Sequence, residues 1–378
     1  MKSVDVAIIG GGVMGMAVAW RLASRGREVL LLEQFELGHD RGSSHGPTRV
    51  FRFVYGDPLY VRMAQQALPL WRELEREAGE SLLDITGGID IGPAERLEPV
   101  AYALEASGAD YEIVNNPSAL YPGVRTAHPA LFSPDTGLIA ASVSVAAMAR
   151  LAKARGAVVR ARSAAQIEGI EDNRVVISVE GERLSARTCV LAAGAWTGSH
   201  LRTAGINPPE LRVTREQIVY YPQKMDFPIL IDRSASPQFL FAMPARFGSP
   251  GARVGHHMTG REVSPDDPAK DDPDAVQRMT AFVRETLPAV APEPTSLETC
   301  LYTSTPNDDF VIDRFGPLVV ASPCSGHGFK FAPLIGEILA CLAINERPPM
   351  DISRFGSFRL SFYNPDNGSQ RTHFEWVS

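Results

Sequence analysis

The chain opens on a short apolar run, Asp5 to Ile9, broken by three glycines and followed by Met14 to Ser24. The apolar spacing of the latter predicts a helix, and Gly26 is placed to end it. Glu28 to Glu33 is a second apolar run of strand length, so the first residues predict a β–α–β unit. Asp57-Pro58 reads as an N-cap with proline at the first helical position, opening a helix towards Glu77 with a kink at Pro69. Residues 86–142 read as short strands and turns. Val143 to Arg155 has a second long helical pattern, ended by Gly156.

A β meander follows. Val158 to Arg160, Ala165 to Ile170, Arg174 to Val179 and Cys189 to Ala193 are strand-like, with turns at Asp172-Asn173 and Glu180-Gly181. Residues 211–258 are again strand-rich. Glu262 to Asp274 is acidic and proline-rich, as a solvated loop would be, and Asp272-Pro273 caps a helix reaching about Leu287. The last third returns to apolar strands, Phe310 to Asp313 and Leu318 to Ala321. The turn Ser325-Gly326-His327-Gly328 then leads into a helix, Ala332 to Ile344. With no internal repeat, this order predicts one nucleotide-binding unit assembled from three chain segments and interrupted twice by a β-rich unit.

Composition narrows the partners. At 378 residues and 44% hydrophobic, the chain can bury a core spanning two domains or one composite domain. A formal charge of −7 without a basic block argues against nucleic acid and anionic membrane. Cys189, Cys300, Cys324 and Cys341 fit neither a zinc site nor a disulfide framework, which points to a reducing, cytoplasmic compartment and no metal. Gly10, Gly11 and Gly12 break the N-terminal apolar run, so it is not expected to be a signal peptide. No stretch is long and apolar enough to span a bilayer, and Glu375-Trp376-Val377-Ser378 is no recognised address.

Gly10-Gly11-Gly12-Val13-Met14-Gly15 is a G-x-G-x-x-G between a strand and a helix. Gly10 permits the tight turn, Gly12 lets a pyrophosphate approach the backbone, and Gly15 lets helix and strand pack closely. The helix start, Val13 and Met14, offers free N–H groups and partial positive charge to phosphates. Glu33 ends the second strand where an acid should hold ribose hydroxyls. These features predict a dinucleotide site without separating FAD from NAD.

Three further segments are distinctive: Gly42-Ser43-Ser44-His45-Gly46-Pro47-Thr48-Arg49-Val50-Phe51-Arg52, Cys300-Leu301-Tyr302-Thr303, and Ser325-Gly326-His327-Gly328-Phe329-Lys330-Phe331. With the glycine fingerprint, they closely resemble the monomeric sarcosine oxidase and N-methyltryptophan oxidase family, in order and over nearly the whole chain. The resemblance implies an α/β fold: a Rossmann-like, glutathione-reductase-like FAD-binding domain with an inserted α+β substrate domain on a mostly antiparallel sheet. The expected FAD-binding segments are 1–85, 143–210 and 296–378; the substrate domain takes 86–142 and 211–295. It also implies FAD joined through a cysteine sulfur, oxidation of secondary amines in N-alkyl amino acids, reoxidation by oxygen to hydrogen peroxide, and a monomer.

By that resemblance, Arg52 grips the substrate carboxylate and Arg49 lies against the flavin ring, although spacing alone fits two loop arginines. Arginine suits the task because its planar fork donates two parallel hydrogen bonds. Lys330 becomes a second cation on the carboxylate. A lysine at a helix start opposes the dipole unless an anion is present. Gly326, Gly328, Phe329 and the helix start that follows would stabilise negative charge on the reduced flavin, with His327 on the polar rim. Ser43, Ser44, Thr48, Gly194 and Trp196 fall in segments expected around the cofactor. Cys300 read alone is a buried small hydrophobe; the resemblance makes it the flavin attachment, with Cys324 the alternative and Cys189 and Cys341 core residues. His257 would line the substrate side as a wall or a proton acceptor.

The sequence departs from the family in two places. Arg253 stands where a lysine that activates oxygen is normal, keeping the charge in a bulkier group, and Leu240-Phe241-Ala242 replaces a tyrosine-bearing segment. The acceptor therefore stays open between oxygen and an electron carrier. Other readings are a nucleotide-fold protein acting on modified transfer RNA, an NAD-dependent dehydrogenase, and a non-catalytic nucleotide binder.

Overall fold

A computed structural model describes residues 1–234 and 238–356. The last residues of the expected third FAD-binding segment and the C-terminal tetrapeptide lie outside the described residues.

The first unit is an eight-stranded mixed sheet. Its parallel centre runs Val158–Arg160, Val29–Leu32, Lys2–Ile9, Glu182–Leu191 and Leu318–Ser322. The hairpin Ala165–Glu171/Arg174–Val179 pairs antiparallel with Glu182–Leu191, and Val311–Phe315 closes on Leu318–Ser322. The central strands are buried on both faces, which is why Val29–Leu32 reads as a continuous apolar run without alternation. Helix Val13–Ser24 lies against helices Ala332–Ala343 and Ala141–Ala154, and nearly all its side chains are buried. Helix Pro58–Ala78 joins them: Trp20 Nε1 donates to Glu77 at 2.7 Å, and the Arg21 guanidinium grips both Glu73 oxygens at 2.7 and 2.8 Å.

The second unit is a nine-stranded, mostly antiparallel sheet. The order is Arg261–Glu262, Arg212–Tyr221, Ala252–His256, Leu240–Met243, Ile229–Asp232, Gly88–Ile91, Ala130–Ser133 and Glu112–Val114. Helix Pro273–Thr286 covers one face, burying Ala275, Met279, Phe282 and Val283 against Val219, Tyr221, Leu230, Ala242 and Val254. A small sheet of Thr48–Phe51, Gly137–Ala140 and Leu83–Ile85 completes the strands.

The structure differs from the expected pattern at several points. Strand Ser296–Ser304, expected to open the third FAD-binding segment, pairs along Arg212–Tyr221 in the second sheet. Residues 94–105, expected as strand and turn, form a helix through Pro99. One ladder bond is lost there, and Leu97, Val100, Ala103 and Leu104 bury its apolar face in compensation. Pro69 likewise sits inside one continuous helix, capped by Asp57, whose side chain accepts from Leu59 N–H at 2.8 Å. A short helix at Thr197–Thr203 was not legible from the pattern. The acidic loop after Glu262 is largely exposed, as expected, and is pinned by Trp196 Nε1 donating to Asp266 at 2.8 Å.

Candidate active site

Strand alternation builds the site. On Leu240–Met243, Leu240 and Ala242 turn to the helix-covered core, while Phe241 and Met243 line a cavity of about 660 Å³ between the two sheets. Ala252 and Val254 turn to the core in the same way, leaving Arg253 and His257 on the cavity. On Ser296–Ser304, Cys300 and Tyr302 share the cavity face. The sheet thus presents a cation, an imidazole, a thiol and a phenol to one space.

The cavity begins at the glycine fingerprint. Gly10 has φ +106°, and a side chain there would strike the Ala192 carbonyl. A Cβ on Gly15 would run into the Gly10 carbonyl, so the helix start and the strand end can approach this closely only without one. Gly15→Ala is expected to cost at least about 1–3 kcal/mol by overpacking and to yield protein that purifies largely without flavin. Comparing bound FAD per chain and thermal unfolding with wild type checks this. Gly11 N–H donates to Glu33 Oε2 at 2.6 Å and Phe35 N–H to Oε1 at 2.8 Å. Burial opposes charge on Glu33, yet His39 and these two N–H groups hold its carboxyl below the ordinary range. Ser44 Oγ accepts from Val13 N–H at 3.0 Å, tying the Gly42–Arg52 segment to the fingerprint.

Arg49 and Arg253 meet near Cys300. Both guanidiniums donate to the Thr48 carbonyl, and Arg49 also to Ser43 O at 2.8 Å. Arg253 Nη2 lies 3.5 Å from Glu298 Oε1, and Tyr220 donates to that carboxylate at 2.6 Å. Burial and the neighbouring Arg253 pull the Arg49 pKa down to about 10. Burial pushes the Cys300 thiol up to about 11, against the pull of Arg49 and Arg253 towards thiolate. Cys324, also on the cavity, is likewise raised to about 11 by burial.

At the other end lie Arg52 and Lys330, 7% and 5% exposed. Lys330 Nζ donates to Tyr55 Oη and His327 O, both at 2.8 Å, and the Arg52 guanidinium sits 5.2 Å from the Tyr55 ring centre. No acid pairs with Lys330 among the described residues. Burial, then Arg52, lowers its pKa well below the lysine value. Trp71 Nε1 donates to Lys330 O at 2.7 Å and fixes that turn. His327 is spoken for: Nδ1 lies 3.3 Å from Tyr55 Oη and Nε2 3.1 Å from Asp308 O. Burial and Lys330 bring its pKa down to about 3, so it stays neutral. His257 stacks on Phe239 at 4.4 Å and is also held neutral, by burial first and then by His327, Arg52 and Lys330.

The sequence-derived candidates Gly10, Gly12, Val13, Met14, Glu33, Ser43, Ser44, Arg49, Arg52, Gly194, Trp196, Arg253, His257, Cys300, Gly326, His327, Gly328, Phe329 and Lys330 all line this cavity. Gly15 and Thr48 do not; they act behind the wall, by close packing and by holding two guanidiniums. Tyr55, Phe239, Tyr302, Asp90, Arg233 and Glu298 were not singled out. Tyr302 and Glu298 could have been found as alternate neighbours of Cys300, whereas the others are joined to the site only by folding.

The donor set suits FAD. On lining residues, buried Arg52 Nη1, Arg253 Nε and His45 Nδ1 have no hydrogen-bond partner in the protein. Glu33, beside Gly11, is the only acidic side chain among the described lining residues, and the Arg52–Lys330 end has none. The arrangement can hold a dinucleotide along the fingerprint and a carboxylate between Arg52 and Lys330.

Residues 5–342 match a family model described as FAD dependent oxidoreductase. The chain is 30% identical over 373 residues to the peroxisomal sarcosine oxidase of Homo sapiens, covering 93% of this chain and 95% of that protein. It is 30% identical over 375 residues to the monomeric sarcosine oxidase of Arthrobacter sp. (strain TE1826), covering 94% and 96%. Among solved structures it is similar to NikD, described as an unusual amino acid oxidase essential for nikkomycin biosynthesis. The TM-score is 0.84, with 26% identity and coverage of 94% and 97%.

Proposed function

The chain belongs to the family of FAD-dependent oxidoreductases, and from that membership we propose that it oxidises the carbon–nitrogen bond of a small N-substituted amino acid. The observation that carries this reading is the pair of buried cations, Arg52 and Lys330, facing the cavity with no acid lining that end. Relatives named sarcosine oxidase and the neighbour described as an amino acid oxidase support it.

The Lys330 ammonium has three hydrogens, and two are donated to Tyr55 and His327 O. The third, with the Arg52 guanidinium, receives the substrate carboxylate. That anion offsets the burial cost of both cations and fixes the amine towards the cavity centre. Among the described lining residues no acidic side chain stands at that end to pair with an ammonium, so the amine is presented neutral. His257, held neutral with its pKa well below the ordinary value, lines the same space as a wall and adds no cation beside the amine. Bound FAD supplies the two-electron acceptor for the hydride equivalent from the carbon beside nitrogen. The resulting imine hydrolyses; an N-methyl substrate gives formaldehyde and the primary amino acid.

We assign flavin binding to residues 1–85, 143–210 and 305–356, with Cys300 reaching the flavin from the second sheet, and substrate recognition to the rest of that sheet. Cys300 is the assigned covalent attachment, in a cytoplasmic monomer. Oxygen is the assigned acceptor, with hydrogen peroxide as product. An electron carrier is the second reading, because the Arg253 guanidinium is already committed to Thr48 O and Glu298.

Anaerobic addition of N-methyl, cyclic and sugar-substituted amino acids should bleach the flavin absorbance with at least one of them. Colour returning within the time of a turnover on admitting air marks an oxidase; slow return marks a carrier-linked dehydrogenase. A yellow protein that none of them bleaches would refute amine oxidation.

A further inference from the structure

Arg52 shares its surroundings with a second, half-buried arginine. Asp90 lies in strand Gly88–Ile91, and Arg233 follows the parallel neighbour Ile229–Asp232, in which Ile231 stands opposite Asp90. Asp90 is 3% exposed. Its Oδ2 accepts from Arg233 Nε at 2.6 Å, while Arg52 Nη1 stands 3.6 Å from the same oxygen and makes no hydrogen bond. The two guanidiniums lie 5.3 and 5.6 Å from the Phe239 ring centre. Asp90 and Arg233 do not line the cavity.

One buried acid is therefore set beside a buried and a half-buried cation and is hydrogen-bonded to only one of them. An acid this close to a substrate-binding guanidinium is a rival for it, since a protein carboxylate and a substrate carboxylate use the same N–H donors. Left alone with Arg52, Asp90 would need to move about 0.7 Å, the gap between its present distance and an ordinary 2.9 Å hydrogen bond, to close on Arg52. Arg233 prevents this by holding the carboxylate through Nε.

We propose that Arg233 is a positioning residue that ties Asp90 away from Arg52, so that the Asp90–Arg233 pair sets the enzyme's affinity for the substrate carboxylate. This rests on the reading that Arg52 binds that carboxylate. It reverses the obvious role of Asp90, which is not the anchor of Arg52 but a competitor held in check.

The test is titration of the purified holoenzyme, under nitrogen, with propionate and with benzoate, following the flavin spectrum. Arg233→Gln should weaken both at least about tenfold, the scale of a lost charge-assisted contact. Asp90→Asn, which keeps the shape and an acceptor for Arg233, should bind as tightly as wild type or more tightly. The double variant should return to within about threefold of wild type, as coupled neighbours do when the offending partner is also removed. A general loss of structure would not be rescued in this way. Weakening of tenfold by Asp90→Asn would make Asp90 the anchor and overturn the proposal. So would an unchanged Arg233→Gln, or a double variant no better than Arg233→Gln. If Arg233→Gln does not fold, the sign of the Asp90→Asn effect decides. Arg52→Ala runs in parallel: binding unchanged by it removes the carboxylate reading and the proposal together. Loss in Arg52→Ala with none in Arg233→Gln removes the proposal alone.

Discussion

Arg52→Ala is expected to lower kcat/KM for carboxylate-bearing amines by about 2–5 kcal/mol, roughly 30- to several-thousand-fold. Arg52 is buried, and its one acidic neighbour among the described residues stands 3.6 Å away without a hydrogen bond, so the guanidinium is not tied to an acid before a ligand arrives. The protein itself should tolerate the change. Asp90 keeps its 2.6 Å bond to Arg233, and burying one cation fewer relieves a desolvation cost. The loss should fall mainly on KM, because the contact is made in the bound substrate and the transition state alike. A matching amine without the carboxylate should be oxidised slowly by wild type and be indifferent to the substitution. Steady-state and anaerobic reduction kinetics with the paired substrates check this, and equal losses on both would show that Arg52 acts on something other than the carboxylate.

The second large effect concerns the flavin. Acid-precipitated wild-type protein should stay yellow, and Cys300→Ala should release essentially all its flavin to the supernatant. Cys300 is 5% exposed and lines the cavity, and its thiol is the one that Arg49 and Arg253 pull towards thiolate. Nucleophilic attack needs the thiolate, and the two guanidiniums oppose a burial that still leaves the pKa at about 11. Cys324 has no such cations beside it; a hydroxyl, Ser322, gives it only partial relief. Cys324→Ala should therefore keep the colour on the protein. The methylene-scale volume lost at Cys300 costs about 1 kcal/mol of stability, small enough for the variant to fold. A colourless wild-type precipitate would end the covalent assignment and leave noncovalent FAD.

Much of this site was legible because its parts are local. The fingerprint, Glu33, the Gly42–Arg52 segment and the Cys300 and Gly326–Lys330 motifs each carry their residue types within a few positions, and the structure brings them to one cavity. Helix starts were legible where an aspartate cap precedes proline, as at Asp57 and Asp272, since both side chains bond the N–H groups of the first turn. The helix through Pro99 was not, because its proline speaks for a break and its stability comes from burial against distant residues. The pairing of Ser296–Ser304 was hidden for the same reason. An apolar, alternating strand states that it will pair and which face it will bury, but its neighbour is chosen by the whole sheet.

What the sequence determined alone is the chemistry on offer: a dinucleotide turn that only glycine can make, an acid at the end of the second strand, two arginines three apart, a cysteine and a lysine in distinctive company. Those are properties of bonds and short spacings, fixed before folding. What the tertiary structure decided is which charges are left free. Asp90, Arg233 and Arg52 are distant in the chain, as are Glu298 and Arg253. Which guanidinium holds which acid depends on differences of an ångström between side chains on separate strands, and in a buried site of low dielectric those differences determine which donors remain for a ligand.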